Sequence, residues 1–210
     1  AIEHHAVLHT VEQLEREGFR ATYLPVDESG LVDLAVLEAA VGPETTVVSV
    51  MAANNEVGTI QPIAEISRIA KAKNPRVLVH TDAVQAAGAI DITPSNLGVD
   101  LLSIAGHKLY GPKGVGLLYV KNRTPWQPML LGGSQEKERR AGTENVAGIV
   151  GLAAAMQLAW GEIEQRNALV LPGARPERER DLGATLRDDA DVVHVHAEVD
   201  GRRVAGRVSD

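Results

Sequence analysis

The sequence contains no cysteine. That excludes disulfides, thiolate metal sites and a cysteine nucleophile within this chain. Aromatic residues are scarce, 3% of 210 positions, so the core must be built from Val, Leu, Ile and Ala. Hydrophobic residues still reach 44%, enough for a globular domain with a sizeable core. Positive charge is in deficit: 21 Lys and Arg against 28 Asp and Glu leave a net charge of −7. A general nucleic-acid or membrane-surface role needs a basic face and is disfavoured. No apolar run approaches a membrane span. No signal peptide is recognisable, so a soluble cytoplasmic protein is expected. The first residue is Ala1, not Met, as in a fragment or a processed product. Lysine is missing altogether after Lys137.

What is present alternates between two periods. His4 to Glu17 reads as an amphipathic helix with Val7, Leu8, Val11 and Leu14 near one face, ended by Gly18. Arg20 to Val26 is strand-like, and Asp33 to Val41 is a short helix stopped by Gly42 and Pro43. Thr45 to Ala53 is a nearly continuous β-branched and apolar run, as expected of a strand buried on both faces of a parallel sheet. Pro62 stands at the first turn of a helix carrying Ile63, Ile66, Ile69 and Ala70. Arg76 to Asp82, Asp100 to Gly106 and Gly114 to Val120 read as three further strands. Val146 to Trp160 is an apolar, Ala-rich helix. Alternation of this kind predicts an α/β sheet, mostly parallel, with helices on both faces. From Pro172 the chain becomes rich in Arg, Asp, Gly and Ala, with one strand candidate at Asp191 to Val199. No internal repeat is found.

In such sheets ligands sit beyond the carboxyl ends of the strands. Three polar clusters fall there: Asn54-Asn55-Glu56, Asp82 to Gln85, and His107-Lys108. A lysine just past a buried strand, between Gly106 and Gly111, should be partly desolvated, which lowers an amine's pKa and makes it a nucleophile able to form a Schiff base. Asp82 needs a cationic partner if buried. The protonated ring nitrogen of pyridoxal phosphate would be one, and the pairing would improve that ring as an electron sink. Gln85 and Asn55 are neutral donors suited to a phenolic oxygen. His107 and the Gly142-Thr143 pair are of the kind that hold phosphate. Plainer readings stand beside these. Lys108 alone is a solvated loop charge, Asp82 a cap, and the Asn-Asn-Glu run a turn. The stretch GPKGVG lacks P-loop spacing. His5 and His9 share a helix face as metal ligands can, but without a third ligand they read as surface or core histidines, as do His194 and His196.

Five ordered stretches, EHHAV, MAANNEVGTIQPI, VHTDAVQAAG, LGVDLLSIAGHKLYGPKGVGLLYV and GGSQEKERRAGTEN, resemble the class V aminotransferase-type enzymes of PLP fold type I. Among these the chain is similar to the cysteine desulfurases of the NifS/IscS type, with selenocysteine lyase a close relative. The resemblance covers about Ala1 to Leu158. It implies the large domain of that fold over residues 1–165, its N-terminal part missing, and a charged tail over 166–210 that is at most a remnant of a small domain. It implies that Lys108 bonds pyridoxal phosphate and moves the substrate's α-proton. Asp82 would pair with the ring nitrogen, and His4 would stack on the ring and serve in acid–base work. Asn55 and Gln85 would contact the phenolic oxygen, and His107 the phosphate. The counterpart of Thr143 reaches the neighbouring subunit's phosphate, so a homodimer is implied.

Three departures accompany it. The family usually has Ser or Thr at the position of Ala105, so one phosphate donor is lost. The family's N-terminal phosphate-binding segment would precede Ala1. The family's catalytic cysteine and carboxylate-binding arginine lie in a small domain that the sequence from about Leu169 does not resemble, a break that a shifted reading frame would produce. The expected activity is conversion of L-cysteine to L-alanine with sulfur passed to a persulfide and on to an acceptor protein, as in iron–sulfur cluster assembly. Selenocysteine lyase or another class V lyase is the alternative. A non-catalytic remnant that dimerises or binds partners is a third reading. No nucleic acid, membrane or metal is expected as a partner.

Overall fold

His4 opens the first helix, α1 (His5–Arg16), its ring Nδ1 accepting the Ala6 amide at 3.1 Å. The helix ends as its sequence predicts. Gly18 takes φ 97°, and the amides of Gly18 and Phe19 return to the carbonyls of Glu15 and Leu14, which closes the last turn. The computed structural model describes residues 2–170 and 190–193. Asp33 caps α2 (Leu34–Ala40) through the amides of Ala35 and Val36.

Arg20 to Val26 does not form the expected strand. Its one β-bridge among the described residues joins Val26 to Val32. An extended segment becomes a strand when a neighbour offers a continuous ladder of hydrogen bonds, and no described strand pairs with this one. The run from Thr45 contributes β1 (Val47–Ser49), shorter than expected. Its pairing nevertheless continues, because the amides of Val50 and Ala52 bond the carbonyls of His80 and Asp82. Next come α3 (Ile63–Lys73), β2 (Leu78–Asp82), α4 (Pro94–Leu97), β3 (Leu101–Ala105) and β4 (Gly116–Lys121). A small hairpin, β5 (Ser134–Gln135) and β6 (Arg140–Ala141), precedes α5 (Val146–Gly161). Then follow α6 (Ile163–Val170), which spans the boundary expected at residue 165, and β7 (Ala190–Val193). The strand candidate at Asp191 to Val199 is thus seen as far as Val193, and its remainder lies outside the described residues.

The main sheet has the order β1-β2-β3-β4-β7. β1, β2 and β3 are parallel; β4 runs against β3, and β7 against β4. Val48, Val79, Thr81, Leu102, Ile104 and Leu117 are all buried and share one face by register. The core around them draws in Leu37, Ile63, Ile66, Ala70 and Val77. Each large aliphatic side chain buried there contributes about 2 kcal/mol. The opposite face carries Ser49, His80, Asp82, Ser103 and Ala105. That face bears the polar groups, although Val120 is fully buried on it as well. No described helix is long and apolar enough to cross a membrane.

Candidate cofactor site

The carboxyl ends of β1, β2 and β3 lie side by side, and the polar clusters meet there. Asp82 is the last residue of β2 and pairs in register with Ser103 of β3. Its side chain is 8% exposed, and one oxygen accepts the Val84 amide at 2.9 Å. No ion pair reaches it among the described residues.

Beyond β3 the chain makes a 3-10 turn, Gly106–Leu109, which holds His107 and Lys108. The turn is glycine-built for a reason that can be measured. A Cβ on Gly106 would stand 3.0 Å from the carbonyl oxygens of Pro112 and Val115, and one on Gly111 3.0 Å from that of Gly106. Tyr110 closes the turn at φ 60°, and Arg166 lies over its ring, 5.8 Å from the centroid. Both Lys108 and His107 are exposed. The desolvation expected for Lys108 from its position after a buried strand is therefore not supplied by this chain. Among the described elements, α5 packs against the turn.

The second element of the site is the loop after β1. Asn54 is buried, and its Oδ1 accepts the amides of Glu56 and Val57. Its Nδ2 donates to the Ile2 carbonyl at 2.7 Å. Asn55 projects from the same loop, exposed. Asn55 and Gln85 line one cavity of about 220 Å³, together with Asn54, Ile60 and Ala86. The structure thus brings these two predicted residues together.

The segment bearing His4 is tied to the same edge. Glu3 Oε1 accepts the Met51 amide at 2.7 Å, while Oε2 is buried without a partner among the described residues. Burial pushes the Glu3 carboxyl up to about 7, helped by the charge of Asp82 and opposed by the Met51 amide. His4 itself is exposed. Because its Nδ1 accepts the Ala6 amide, the neutral ring carries its proton on Nε2. The hydrogen bonds that join these groups do not extend to Thr143, which is exposed on the segment leading into α5.

A half-buried polar row that the sequence did not announce lies on the sheet face of Asp82. His80 Nδ1 lies 2.8 Å from Ser49 Oγ, and its Nε2 lies 2.9 Å from Ser103 Oγ. The row crosses three strands. Burial holds the His80 imidazole down to about 4, so the ring is neutral. Glu3 and His80 carry no expectation from the sequence, and Asn54 was expected only as part of the Asn-Asn-Glu cluster. The available signal was a histidine inside an apolar run and an asparagine doubled before an acid. His5 and His9 stack with ring centroids 5.0 Å apart, but no group of three metal-ligating side chains exists among the described residues. His194 and His196 lie outside them.

The donor set can be tested against pyridoxal phosphate. A buried carboxylate without a cation is costly, and a protonated ring nitrogen meets that need. Asp82 therefore fits the group, with Lys108 beyond the adjacent strand end and neutral donors in the neighbouring cavity.

Comparison with known proteins agrees. The family described as aminotransferase class-V matches residues 1–169. The chain is 54% identical over 166 residues to the cysteine desulfurase IscS of Clostridium botulinum (strain Hall), covering 79% of this chain and 41% of that one. It is 53% identical over 171 residues to IscS of Methanosarcina thermophila, covering 81% and 42%. The mouse cysteine desulfurase is 51% identical over 164 residues, covering 77% and 35%. The solved structure of a NifS-like protein superposes with a TM-score of 0.77 at 50% identity, covering 78% of this chain and 45% of that one. DndA from Streptomyces lividans does so at 0.71 and 38%, covering 78% and 47%. The chain spans about two-fifths of the length of the curated relatives it matches. Its mixed, mostly parallel sheet is that of PLP fold type I. With the match running from residue 1 to 169, the chain belongs to the aminotransferase class-V family.

Proposed function

We propose that this chain is the cofactor-binding part of a pyridoxal phosphate-dependent cysteine desulfurase. The observation that carries the reading is Asp82, a buried carboxylate with no cationic partner among the described residues, beside the turn that holds Lys108. The names of the relatives support the substrate, L-cysteine, and the product pair, L-alanine and a sulfur atom delivered to an acceptor.

Bound here, pyridoxal phosphate supplies an electron sink for the substrate's α-carbon. The remaining roles belong to the chain. Asp82 keeps the proton on the ring nitrogen. Lys108 provides the amine that bonds the cofactor and, when displaced, moves the substrate's α-proton. His4 offers its ring face and its Nε2 proton. Asn55 and Gln85 steady the phenolic oxygen from their shared cavity, and His107 receives the phosphate. Thr143 serves a second copy of the chain, so the working unit is a homodimer. Sulfur abstraction requires a thiolate. This chain has none, so persulfide formation falls to a cysteine outside it. The acceptor of the sulfur is a protein of the kind that feeds iron–sulfur cluster assembly.

Titration of the purified chain with pyridoxal phosphate tests this. Wild type should turn yellow, and Lys108→Ala should remain colourless. A colourless wild type overturns the reading. Alanine plus bound sulfane sulfur formed from L-cysteine by this chain alone would refute the assignment of the sulfur step to another chain.

A further inference from the structure

We propose that Glu3 is a positioning residue of this site, whose carboxyl ties the segment carrying His4 to the end of β1 and gives up a proton when a cation settles against Asp82. The inference rests on the reading of Asp82 as the partner of a ring nitrogen.

The geometry has three parts. Glu3 directly precedes His4, and its Oε1 accepts the Met51 amide at 2.7 Å. A second tie runs alongside, from Asn54 Nδ2 to the Ile2 carbonyl. The next amide along, that of Ala52, bonds the Asp82 carbonyl at 2.8 Å. These bonds lie on consecutive peptide groups, so the segment before α1 is anchored through the backbone of Met51 and Ala52 next to that of Asp82. The remaining Glu3 oxygen, Oε2, is buried and has no hydrogen-bond partner among the described residues, which is a place for a hydrogen rather than for a charge.

The electrostatics follow. The charged groups acting on Glu3 are Asp82 from β2, which raises its pKa, and the amine of residue 1, which lowers it; His4 adjoins it in sequence. His80, the other titratable group near Asp82, is neutral. With its pKa at about 7, Glu3 is protonated in roughly half the molecules at neutral pH. A cation against Asp82 cancels the field that holds this proton. Binding then expels it, and by linkage ionised Glu3 strengthens the hold on the cation.

The probe is pyridoxamine 5′-phosphate, which presents the same ring nitrogen and phosphate but forms no bond with Lys108. Its affinity for the full 210-residue chain is measured from pH 6 to pH 8 by calorimetry in two buffers of different ionisation enthalpy. The comparison is between wild type and Glu3→Gln, which keeps an acceptor for the Met51 amide. Wild type should gain about fivefold more affinity over this range than the Gln variant, the low end of ordinary coupling. It should also release a proton fraction that the variant does not. At pH 6 the two should agree within about twofold, and Glu3→Leu, which loses the tie to Met51, should bind at least about tenfold more weakly. Equal pH slopes and equal proton release in wild type and Gln variant, with both binding, overturn the proton role while leaving the cofactor reading intact. Failure of both to bind overturns the cofactor reading and this inference with it. If Glu3→Leu does not fold, the Gln comparison decides alone.

Discussion

Two buried aspartates sit at opposite ends of the same sheet, and they are treated differently. Asp100, 6% exposed, stands where β2 and β3 begin. Lys71 reaches it at 2.9 Å, Lys121 at 3.5 Å, and the Val79 amide binds its second oxygen. Asp82, 8% exposed, stands where β2 ends, and its side chain receives only the Val84 amide among the described residues. The first has the partners that burial of a charge requires. The second is left short of a positive charge. One end of the sheet is finished by the fold, and the other, on the proposed reading, is left for a ligand.

Removing Asp100 should have the largest effect. Asp100→Ala leaves the partly buried Lys71 amine with the Gly98 carbonyl but no counter-charge, and leaves the Val79 amide bare. The cost should be about 3–5 kcal/mol, the usual result of breaking a buried pair. Denaturant unfolding of the cofactor-free chain measures it. A loss under about 1 kcal/mol would mean that the two ends are not different in kind.

The next effect is a pH dependence hidden by cancellation. Glu3 is raised from 4.5 to about 7 in the folded chain. The folded state therefore holds a proton that the unfolded state has lost, and stability falls as pH rises from 4.5 to 7. His80 is lowered from 6.5 to about 4. The unfolded state then takes the proton first, and stability falls as pH drops from 6.5 to 4. Each shift is worth about 3 kcal/mol over its window, and the two oppose one another between 4.5 and 6.5. His80→Gln should expose the Glu3 slope, so that thermal stability falls as pH rises from 4.5 to 7. Glu3→Gln should expose the His80 slope, so that stability rises from pH 4 to 6.5. Melting midpoints should move by about 6–12 °C across each window. Identical pH profiles in both variants would show that neither group is shifted by burial.

Asp82→Asn sharpens the comparison by sign. The amide keeps an acceptor for Val84 and removes the charge that lacks a partner. The cofactor-free chain should be as stable as wild type or slightly more so, unlike Asp100→Ala. Affinity for pyridoxal phosphate, read from the visible absorbance, should fall about 10- to 100-fold, the value of one charged hydrogen bond. Destabilisation comparable with that of Asp100→Ala would place Asp82 among the fold's own charges.

How much of this could be read from the sequence depends on how far each feature reaches along the chain. Strand ends were legible because apolar runs stop abruptly at Asp82 and before His107. The cap at Asp33 and the glycine end of α1 are written within five residues. Arg20 to Val26 was misread because a strand is a property of its partner as well as of its own residues. His80 was illegible for the same reason. Its meaning lies in Ser49, 31 residues earlier, and Ser103, 23 residues later. Glu3 acquires its role only through Met51, 48 residues on. Residues whose chemistry is local announced themselves, and residues that act across strands did not.

The smallest effect concerns Ala105, on the polar sheet face at the end of β3. The relatives that the sequence resembles usually place a hydroxyl there, before the turn that holds His107 and Lys108. Ala105→Ser should restore one donor for the phosphate. A neutral hydrogen bond is worth about 0.5–1.5 kcal/mol, so affinity for pyridoxal phosphate should rise about two- to tenfold. The gain should persist in Asp82→Asn, because the proposed site holds phosphate and ring nitrogen by different residues and separated sites add. Measuring both single variants and the double variant by calorimetry gives the answer. A gain that disappears in the double variant would join the two ends of the cofactor into one unit, and the distinction between a phosphate side and a ring-nitrogen side would fail.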